Sequence, residues 1–563
     1  MFHSVTIDRL LVSPARRVER LTGVPAFASA SSLIAFIALV PGLFVLYSDI
    51  AVHIDFGRDT TLLTPSHTIG VVALSGMMIG VAFALVLYPQ DTNTGLLWRG
   101  NRYPYGAVFS LLAGLFTMAG FPLDFLWHEL FGEDVTLWSP SHLQLIGGGA
   151  LSVFGFLMLS YEARRMPGWR PTPAGKFLMA CSVVAGPAVI SVFAAEFDFG
   201  IAQFQVLYLP PLVAFMSAAT FVLARLLLGP TGALRALLIW LVLRGAVFLG
   251  VAALGLSEPR FQPYIVEALI VEAVFLLPAI GVRRAALTAG VLIGTAGCVA
   301  TFGFSRLWGY HELPWAILPQ AMALATLAGV AGAVLGVAAA RALAPDRVPA
   351  GVVTVRHAAV AGVVAIIAFT VPLPRGGEKP YVADIDVERI DDGHVSVVAR
   401  FHDPKLLEGR EWFDLMAWQG GHGRAHILKP MVDLGGGVFR TPQPVPITGE
   451  WKSFLRIADG SSMRAAPIRF NFDRFVAAPP IAAVDRPAFA FQREQQYLMR
   501  EYRGGKRGLI LPGYLISLAL WVGFVAFAVI LLRRMYRDAL GDRPRLPEIA
   551  TVADPPPTLS LRS

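Results

Sequence analysis

Long apolar stretches separated by short polar loops dominate the first two thirds of the chain and return near its C-terminal end. Twelve of these stretches are long enough to cross a bilayer as helices, which takes about 20 residues each. They are residues 31–50, 66–87, 107–128, 142–161, 176–196, 205–228, 235–256, 263–281, 285–304, 316–341, 353–373 and 509–532. The pattern therefore predicts an all-α polytopic membrane protein with about twelve transmembrane helices.

Residues 374–475 break this pattern. Apolar and polar residues alternate there in short runs separated by Gly and Asp clusters, which is typical of strands and turns. A segment of this length suffices for one hydrophobic core. We interpret it as one antiparallel β-sandwich domain. The remaining predicted divisions are an N-terminal segment 1–30, a membrane domain of eleven spans 31–373, a linker 476–508 containing a candidate interfacial helix, a final transmembrane helix 509–533 and a tail 534–563.

Composition supports the membrane assignment. Hydrophobic residues make up 55% of the 563 residues and charged residues only 15%, whereas soluble domains have about 25% charged residues. This excludes a soluble enzyme, a disordered chain and a secreted scaffold held by disulfides. The two cysteines, Cys181 and Cys298, lie in different apolar runs and are not expected to pair.

The basic residues indicate topology. The net charge is +8, but no nucleic-acid-binding motif accompanies it, so we expect no nucleic-acid partner. Arginine and lysine are concentrated in alternate loops, while the opposite loops hold only Arg58, Arg260 and Arg306. Because cytoplasmic loops carry the excess of basic residues, both termini are predicted to be cytoplasmic and residues 374–508 extracytoplasmic. The expected location is the inner or plasma membrane of a bacterium. The basic flank of the first span resembles a signal peptide, but its apolar run is too long for one.

Two segments of the chain repeat each other. Residues 49–67 read DIAVHIDFGRDTTLLTPSH and residues 124–142 read DFLWHELFGEDVTLWSPSH. Ten of the nineteen positions are identical without a gap, which indicates duplication of a helical hairpin. A third, degenerate copy at 192–200 keeps only its Phe-Gly pair, with Glu196 at the position of the first histidine. Prolines at the start of later even-numbered spans extend the prediction to five hairpins, followed by an eleventh span, the β-sandwich and a twelfth span.

Each of the first two copies contains one aspartate and two histidines that can meet. Asp and His four positions apart share one face of a helix, and the second His opens the next helix on the same side of the membrane. Two imidazoles and one carboxylate are a recognised ligand set for copper, zinc or non-haem iron. The predicted metal ligands are Asp49, His53, His67, Asp124, His128 and His142. They form either two separate sites or one shared site facing the outer membrane boundary.

Purely structural roles compete with this interpretation. Asp59 and Asp134 can cap turns, Gly57 and Gly132 can close them, and the Pro-Ser pair can simply start a helix. A capping role does not require Asp, His and His to recur together, however. Ionisable groups near apolar spans are costly and are usually functional.

The spacing Asp-x3-His-x13-His resembles the metal-binding motif of the C subunit of particulate methane and ammonia monooxygenases. The positions that match are Asp49, His53 and His67 in the first copy and Asp124, His128 and His142 in the second. The resemblance covers 19 residues per copy, and its second gap is one residue longer than in that family. It implies a copper site and oxygen chemistry. Twelve spans and the duplication depart from that subunit.

Four further polar residues are candidates for the membrane domain. Glu196 and His311 are predicted on the same side as the repeated triads and are additional candidate ligands. Arg244 and Glu272 lie midway along consecutive antiparallel spans, so we expect a structural ion pair between them. Together with Glu267, the acidic residues Glu196 and Glu272 also suggest an alternative, a proton or cation path.

The predicted β-sandwich has histidines but no cysteine, which excludes a blue-copper site of the usual kind. His422 and His426 flank three residues in a Gly-rich loop and are either metal ligands or solvated loop residues.

The sequence thus predicts a membrane metalloprotein, with copper as the first choice of metal and zinc or iron as alternatives. One hypothesis is an oxidase or monooxygenase acting on a lipophilic substrate. A second is a metal transporter or metal-loading factor with the β-sandwich as a docking domain, and a third is a non-catalytic scaffold. Expected partners are membrane lipids and, for the enzyme, other membrane subunits or an electron donor.

Overall fold

The computed structural model describes residues 12–57, 64–131, 137–201, 206–277, 280–348, 379–421, 423, 426–459, 462–472, 478–498 and 506–541. Its α-helices are α1 Ser13–Thr22, α2 Ala26–Phe56, α3 Pro65–Val86, α4 Tyr105–Phe131, α5 Pro140–Ala163, α6 Pro173–Ile190, α7 Ala195–Asp198, α8 Leu209–Leu228, α9 Gly232–Ala253, α10 Ile265–Phe275, α11 Val282–Leu292, α12 Cys298–Leu307, α13 Leu318–Leu343, α14 Gln495–Leu498 and α15 Ile510–Gly541. A π-helical segment, Ile293–Gly297, joins α11 to α12.

The strands are β1 Leu96–Trp98, β2 Asn101–Tyr103, β3 Val382–Arg389, β4 His394–Phe401, β5 Trp412–Trp418, β6 Ile427–Pro430, β7 Val432–Gly435, β8 Val438–Arg440, β9 Val445–Pro446, β10 Lys452–Asp459, β11 Ser462–Arg469, β12 Arg486–Ala490 and β13 Gln492–Arg493. Strands β1 and β2 form a small hairpin between α3 and α4.

Ten helical segments in the described part of the chain are long and apolar enough to cross a membrane, which confirms an integral membrane protein with a β-rich region. The predicted span at 353–373 lies outside the described residues. The prediction of a full-length span at 263–281 is wrong, because among the residues described there only the 11 of α10 are helical. Such a helix rises about 16 Å, roughly half of the hydrocarbon thickness. Tyr264, with φ of 54°, delays its start.

The first two repeats form helical hairpins, as predicted: α2 packs on α3, and α4 packs on α5. Within the second hairpin the two backbones touch closely. A Cβ atom added at Gly106 would lie 2.4 Å from the carbonyl oxygen of Gly155, so these positions need glycine. Small residues permit such close approach of helices in membranes.

The predicted ion pair between Arg244 and Glu272 is wrong. Glu272 instead accepts hydrogen bonds from the amides of Thr231 and Ala233, at the start of α9, and its Oε2 lies 3.0 Å from Nε of Arg225. The free N–H groups of a helix N-terminus are natural partners of a carboxylate. Equal depth in the membrane therefore did not decide the pairing.

Arg244 lies in an aromatic pocket. Its guanidinium is 4.7 Å from the ring centroids of Tyr47 and Trp240 and 4.3 Å from that of Phe261, and it donates a hydrogen bond to Ser191. Cation–π contacts of this kind stabilise a buried guanidinium, and the buried carboxylate of Asp198 also interacts electrostatically with Arg244.

The described terminal segments lie at one end of the bundle. Thr172 donates a hydrogen bond to the carbonyl of Leu21, which ties α1 to the loop before α6. Tyr105 at the start of α4 donates to Asp538 near the end of α15, at 2.7 Å. The tips of the first two hairpins, which carry the Asp and His residues, lie at the opposite end.

The β-rich region has two antiparallel sheets. One has the order β13-β11-β10-β5-β6, and the other has the order β12-β3-β4-β8-β7 with β9 added to β4. Residues of both sheets share one apolar core, in which the rings of Phe401 and Phe413 lie 5.5 Å apart. This region contacts the hairpin-tip end of the helical bundle, so it lies on the same side as the Asp and His residues and opposite the described terminal segments.

Candidate metal centres

The second hairpin gathers its three predicted ligands between α4 and α5. Asp124 and His128 lie one turn apart in α4, and His142 lies in the first turn of α5. His128 Nε2 is 3.4 Å from Asp124 Oδ2, and His142 Nε2 is 3.5 Å from Asp124 Oδ1. Among the described residues, this is the only group of three His, Cys, Asp or Glu whose ligand atoms all lie within 4.8 Å of one another.

These separations match the ligand spacing around a single metal ion. Nitrogen and oxygen ligands bind zinc at about 2.0–2.2 Å, so two ligand atoms of a tetrahedral site lie about 3.4 Å apart. The two imidazole nitrogens face different oxygens of the Asp124 carboxylate. The three side chains are only 17–22% exposed, so the site is mostly enclosed yet reachable. Two imidazoles and a carboxylate also leave coordination positions open for water or a substrate.

The first hairpin repeats the arrangement in part, because its three ligand atoms do not all lie within 4.8 Å of one another. His67 Nε2 is 3.6 Å from Asp49 Oδ2. The ring centroids of His53 and His67 are 6.4 Å apart, compared with 5.9 Å for His128 and His142. The Asp–His contacts form within each hairpin, so the geometry favours two separate sites over one shared site.

Both hairpins position their second histidine with the same helix cap. The hydroxyl oxygens of Thr64 and Ser139 each accept a hydrogen bond, at 3.3 Å, from the backbone amide of the histidine three positions later. The Pro-Ser pair does begin a helix at both places, as the structural alternative predicted. It has a second role as well, because Ser66 donates a hydrogen bond to the Asp49 carboxylate. Asp59, Gly132 and Asp134 lie outside the described residues.

Glu196 does not join the metal-ligand group around Asp124. Its side chain is 1% exposed and accepts a hydrogen bond from the amide of Leu137 at 2.7 Å. Leu137 lies two residues before the cap of α5. Glu196 therefore supports the loop that leads into the second site, and the group of candidate ligands found among the described residues does not include it.

His311 is also not part of either triad. Its Nδ1 lies 3.2 Å from Asp414 Oδ2, and its Nε2 lies 2.8 Å from a guanidinium nitrogen of Arg456. Since an arginine only donates, Nε2 must be the accepting nitrogen, and Nδ1 carries the proton that faces Asp414. Burial and the neighbouring Arg456 lower the pKa of His311. The contact with Arg456 engages Nε2, and the group of candidate metal ligands found among the described residues does not include His311.

The β-rich region contacts the first hairpin at the two residues that follow His53 in the sequence. The amides of Gln419 and Gly421 donate to the carbonyls of Ile54 and Asp55 at 2.8 and 2.7 Å. The Asp55 carboxylate, 1% exposed, accepts from the amide and hydroxyl of Ser257 at 2.7 and 2.5 Å.

That contact continues into the β-rich region through His426. The Ser257 hydroxyl lies 3.1 Å from His426 Nδ1. Burial lowers the pKa of His426 to about 4. His426 is thus neither a solvated loop residue nor a ligand of the described triads, while His422 lies outside the described residues.

A buried arginine anchors the same interface. Arg456 in β10 is fully buried, its guanidinium lies 2.6 Å from Glu494, and it donates to the carbonyl of Gly200 at 3.3 Å. Gly200 belongs to the degenerate third repeat, so the β-rich region rests on the tips of both the first and the third hairpin. Burial raises the pKa of Glu494 to about 7.

Sequence reasoning missed most of this interface. Asp55 stood inside the repeated motif, at a position where the second copy has Leu130 and the degenerate third copy has Asp198. That difference was the one available signal. Ser257 and Arg456 carry no motif and are recognised only from their contacts.

No family model, curated protein or solved structure matches this chain. The candidate function therefore rests on the geometry of the two hairpins.

Proposed function

We propose that the chain is a membrane metalloprotein that holds one transition-metal ion between Asp124, His128 and His142. The observation that supports this is the 3.4 and 3.5 Å spacing of two imidazole nitrogens from the two oxygens of one partly buried carboxylate. The first hairpin would hold a second ion with Asp49, His53 and His67. Copper is our first choice, with zinc or iron as alternatives, because this donor set suits all three metals.

A bound metal would supply Lewis acidity or oxygen activation at its open position. The protein residues would fix the geometry around it. The caps at Thr64 and Ser139 hold the second histidine of each site, and Ser66 orients the Asp49 carboxylate. Hydrogen-bonded partners of ligands tune metal sites in this way.

We further propose that the reaction is an oxidation of a lipophilic substrate, as an oxidase or a monooxygenase. Exposed apolar side chains flank Asp124 in α4: Leu123 is 38%, Phe125 54% and Leu126 49% exposed. On a membrane-spanning helix such a surface faces lipid, so a substrate dissolved in the bilayer can approach the site from the side. A monooxygenase would also need an electron donor, supplied by another membrane subunit or a redox partner.

The proposed topology is twelve spans with cytoplasmic termini and an extracytoplasmic β-sandwich. It is supported by the basic residues in alternate loops and by the position of the described terminal segments at the end of the bundle opposite the β-rich region. The sites would then face away from the cytoplasm.

Transport is the weaker alternative. Two acidic residues of the predicted ion path, Glu196 and Glu272, accept hydrogen bonds from backbone amides, and Glu272 also pairs with Arg225. Groups held in this way support the structure and do not form a continuous polar path with Glu267.

Elemental analysis of the detergent-purified protein tests the proposal. We expect copper, zinc or iron in the wild type and its loss from the variant His53→Ala/His128→Ala. His402→Ala is the matched control, because this exposed imidazole lies on the β-rich region, where it pairs with Asp384. Absence of metal after reconstitution, or equal metal in the double variant, would overturn the metalloprotein assignment.

A further inference from the structure

The last turn of α2 is completed by the β-rich region. The final carbonyls of a helix have no partner within the helix and need donors from elsewhere. For Ile54 and Asp55 these donors are the amides of Gln419 and Gly421, just beyond the end of β5. Ile54 directly follows the candidate ligand His53, so the backbone that carries this ligand is fixed by a part of the chain more than 360 residues away.

The Asp55 side chain strengthens the same contact. Asp55 and Ser257 are 1% and 0% exposed, and their hydrogen bond is 2.5 Å long. The Ser257 hydroxyl contacts both the amide and the ring of His426, at 3.4 and 3.1 Å. A buried carboxylate is stable only when its hydrogen bonds are made, so this chain of contacts holds α2, Ser257 and the β-rich region in one arrangement.

The second hairpin is held differently. The carbonyl of Leu130, at the position that corresponds to Asp55, accepts from the amide of Lys506 at 2.8 Å. Trp127, one turn earlier, packs on Tyr514 of the final helix with ring centroids 5.5 Å apart. The outer end of α4 is therefore held by the segment leading into α15.

We propose that the β-rich region is a positioning element for the first metal site and sets its affinity for metal independently of the second site. This inference rests on the proposed function. Gln419, Gly421 and Ser257 bind the two residues that follow the candidate ligand His53. They act through the backbone of Ile54 and the side chain of Asp55, which lie directly after His53.

The two sites allow an internally controlled test. The variant His128→Ala/His142→Ala keeps only the first site, and His53→Ala/His67→Ala keeps only the second. Each is titrated with Cu²⁺ alone against a competing chelator, in the full-length protein. Ser257→Ala is then added to both, because it removes the hydroxyl that links Asp55 to His426 and leaves no buried charge of its own.

We expect Ser257→Ala to weaken copper binding at the first site about 10-fold, as loss of a supporting partner does. The second site should keep its affinity. Gly421→Ala provides an independent change: Gly421 has φ of 90° and open space around it, so an added methyl strains the backbone without a clash. It should misplace the amide that caps Asp55 and again affect only the first site. Asp433→Asn, on an exposed carboxylate of the same region, is the control and should change neither site.

The outcomes separate the two proposals. If the first-site parent binds no copper, the metal assignment of that site and this inference both fail. If the parent binds copper and both Ser257→Ala and Gly421→Ala leave its affinity unchanged, the positioning role alone is overturned. A loss of equal size at both sites would show general destabilisation and would also overturn it.

Discussion

The two repeated hairpins have the same candidate ligands, but different parts of the chain contact their outer ends. In both, an Asp–His contact of about the same length is set by local spacing and by a Thr or Ser cap. The outer end of the first hairpin contacts the β-rich region, whereas the outer end of the second contacts the segment before α15. The candidate ligands within the nineteen repeated residues are thus the same in both copies, whereas the segments that contact the two copies differ.

Replacing the aspartate of one copy should cause the largest difference between the two hairpins. Asp124→Asn should abolish metal binding in the second hairpin and leave the first unaffected, because the amide no longer offers an anionic ligand. Asp49→Asn should do the reverse. Metal stoichiometry of the two variants checks this. Loss of both metals from either single variant would contradict two independent sites.

Arg456→Met should release the β-rich region from the bundle without disturbing the second hairpin. Removing the cation leaves Glu494 buried without its partner, which costs about 4 kcal/mol. Hydrogen–deuterium exchange should increase in residues 412–421 and 54–57 and stay unchanged in 124–131. The double variant Arg456→Met/Glu494→Gln should recover part of the protection, and failure to do so would argue against an electrostatic cause.

Acidification should weaken the contact at the first hairpin selectively. Burial lowers the pKa of His426 to about 4, from about 6.5 in an unfolded chain. Between these values the unfolded chain binds the additional proton, so stability is full above pH 6.5 and falls towards pH 4 by on the order of 3 kcal/mol. Exchange in residues 412–421 should rise over this range. His426→Gln should flatten that dependence, and an unaltered profile would exclude His426 as its source.

The helix caps should give the smallest and most symmetrical effect. Thr64→Ala and Ser139→Ala each remove a side-chain acceptor from the amide of the following histidine, at about 1 kcal/mol. Exchange at the starts of α3 and α5 should rise to a similar extent in the two variants. A tenfold or greater difference between them would show that the caps are not equivalent.

The sequence was informative where structure is local. Periodicity located ten of the membrane helices, and the i, i+4 spacing correctly placed Asp124 beside His128. The prediction was wrong at α10, where the apolar run contains a helix of 11 residues in place of a full span. Hydropathy alone does not show where within an apolar run a helix begins and ends.

Pairings between distant segments were not predictable. Arg244 and Glu272 have matching depths, yet Glu272 pairs with Arg225 and Arg244 lies among aromatic rings. Which partner a buried charge takes depends on how helices rotate and cross, and single-sequence patterns do not contain this information. The same holds for Asp55, whose partner lies 202 residues further along the chain.

That separation also imposes an order of events during synthesis. The candidate ligands of the first hairpin lie within nineteen residues and leave the ribosome together, but Ser257, which donates hydrogen bonds to Asp55, is made much later. Gln419, whose amide donates to the carbonyl of Ile54, is made later still. The outer end of the first hairpin therefore gains its hydrogen bonds from Gln419 and Gly421 only when the β-rich region has been made and has folded against it.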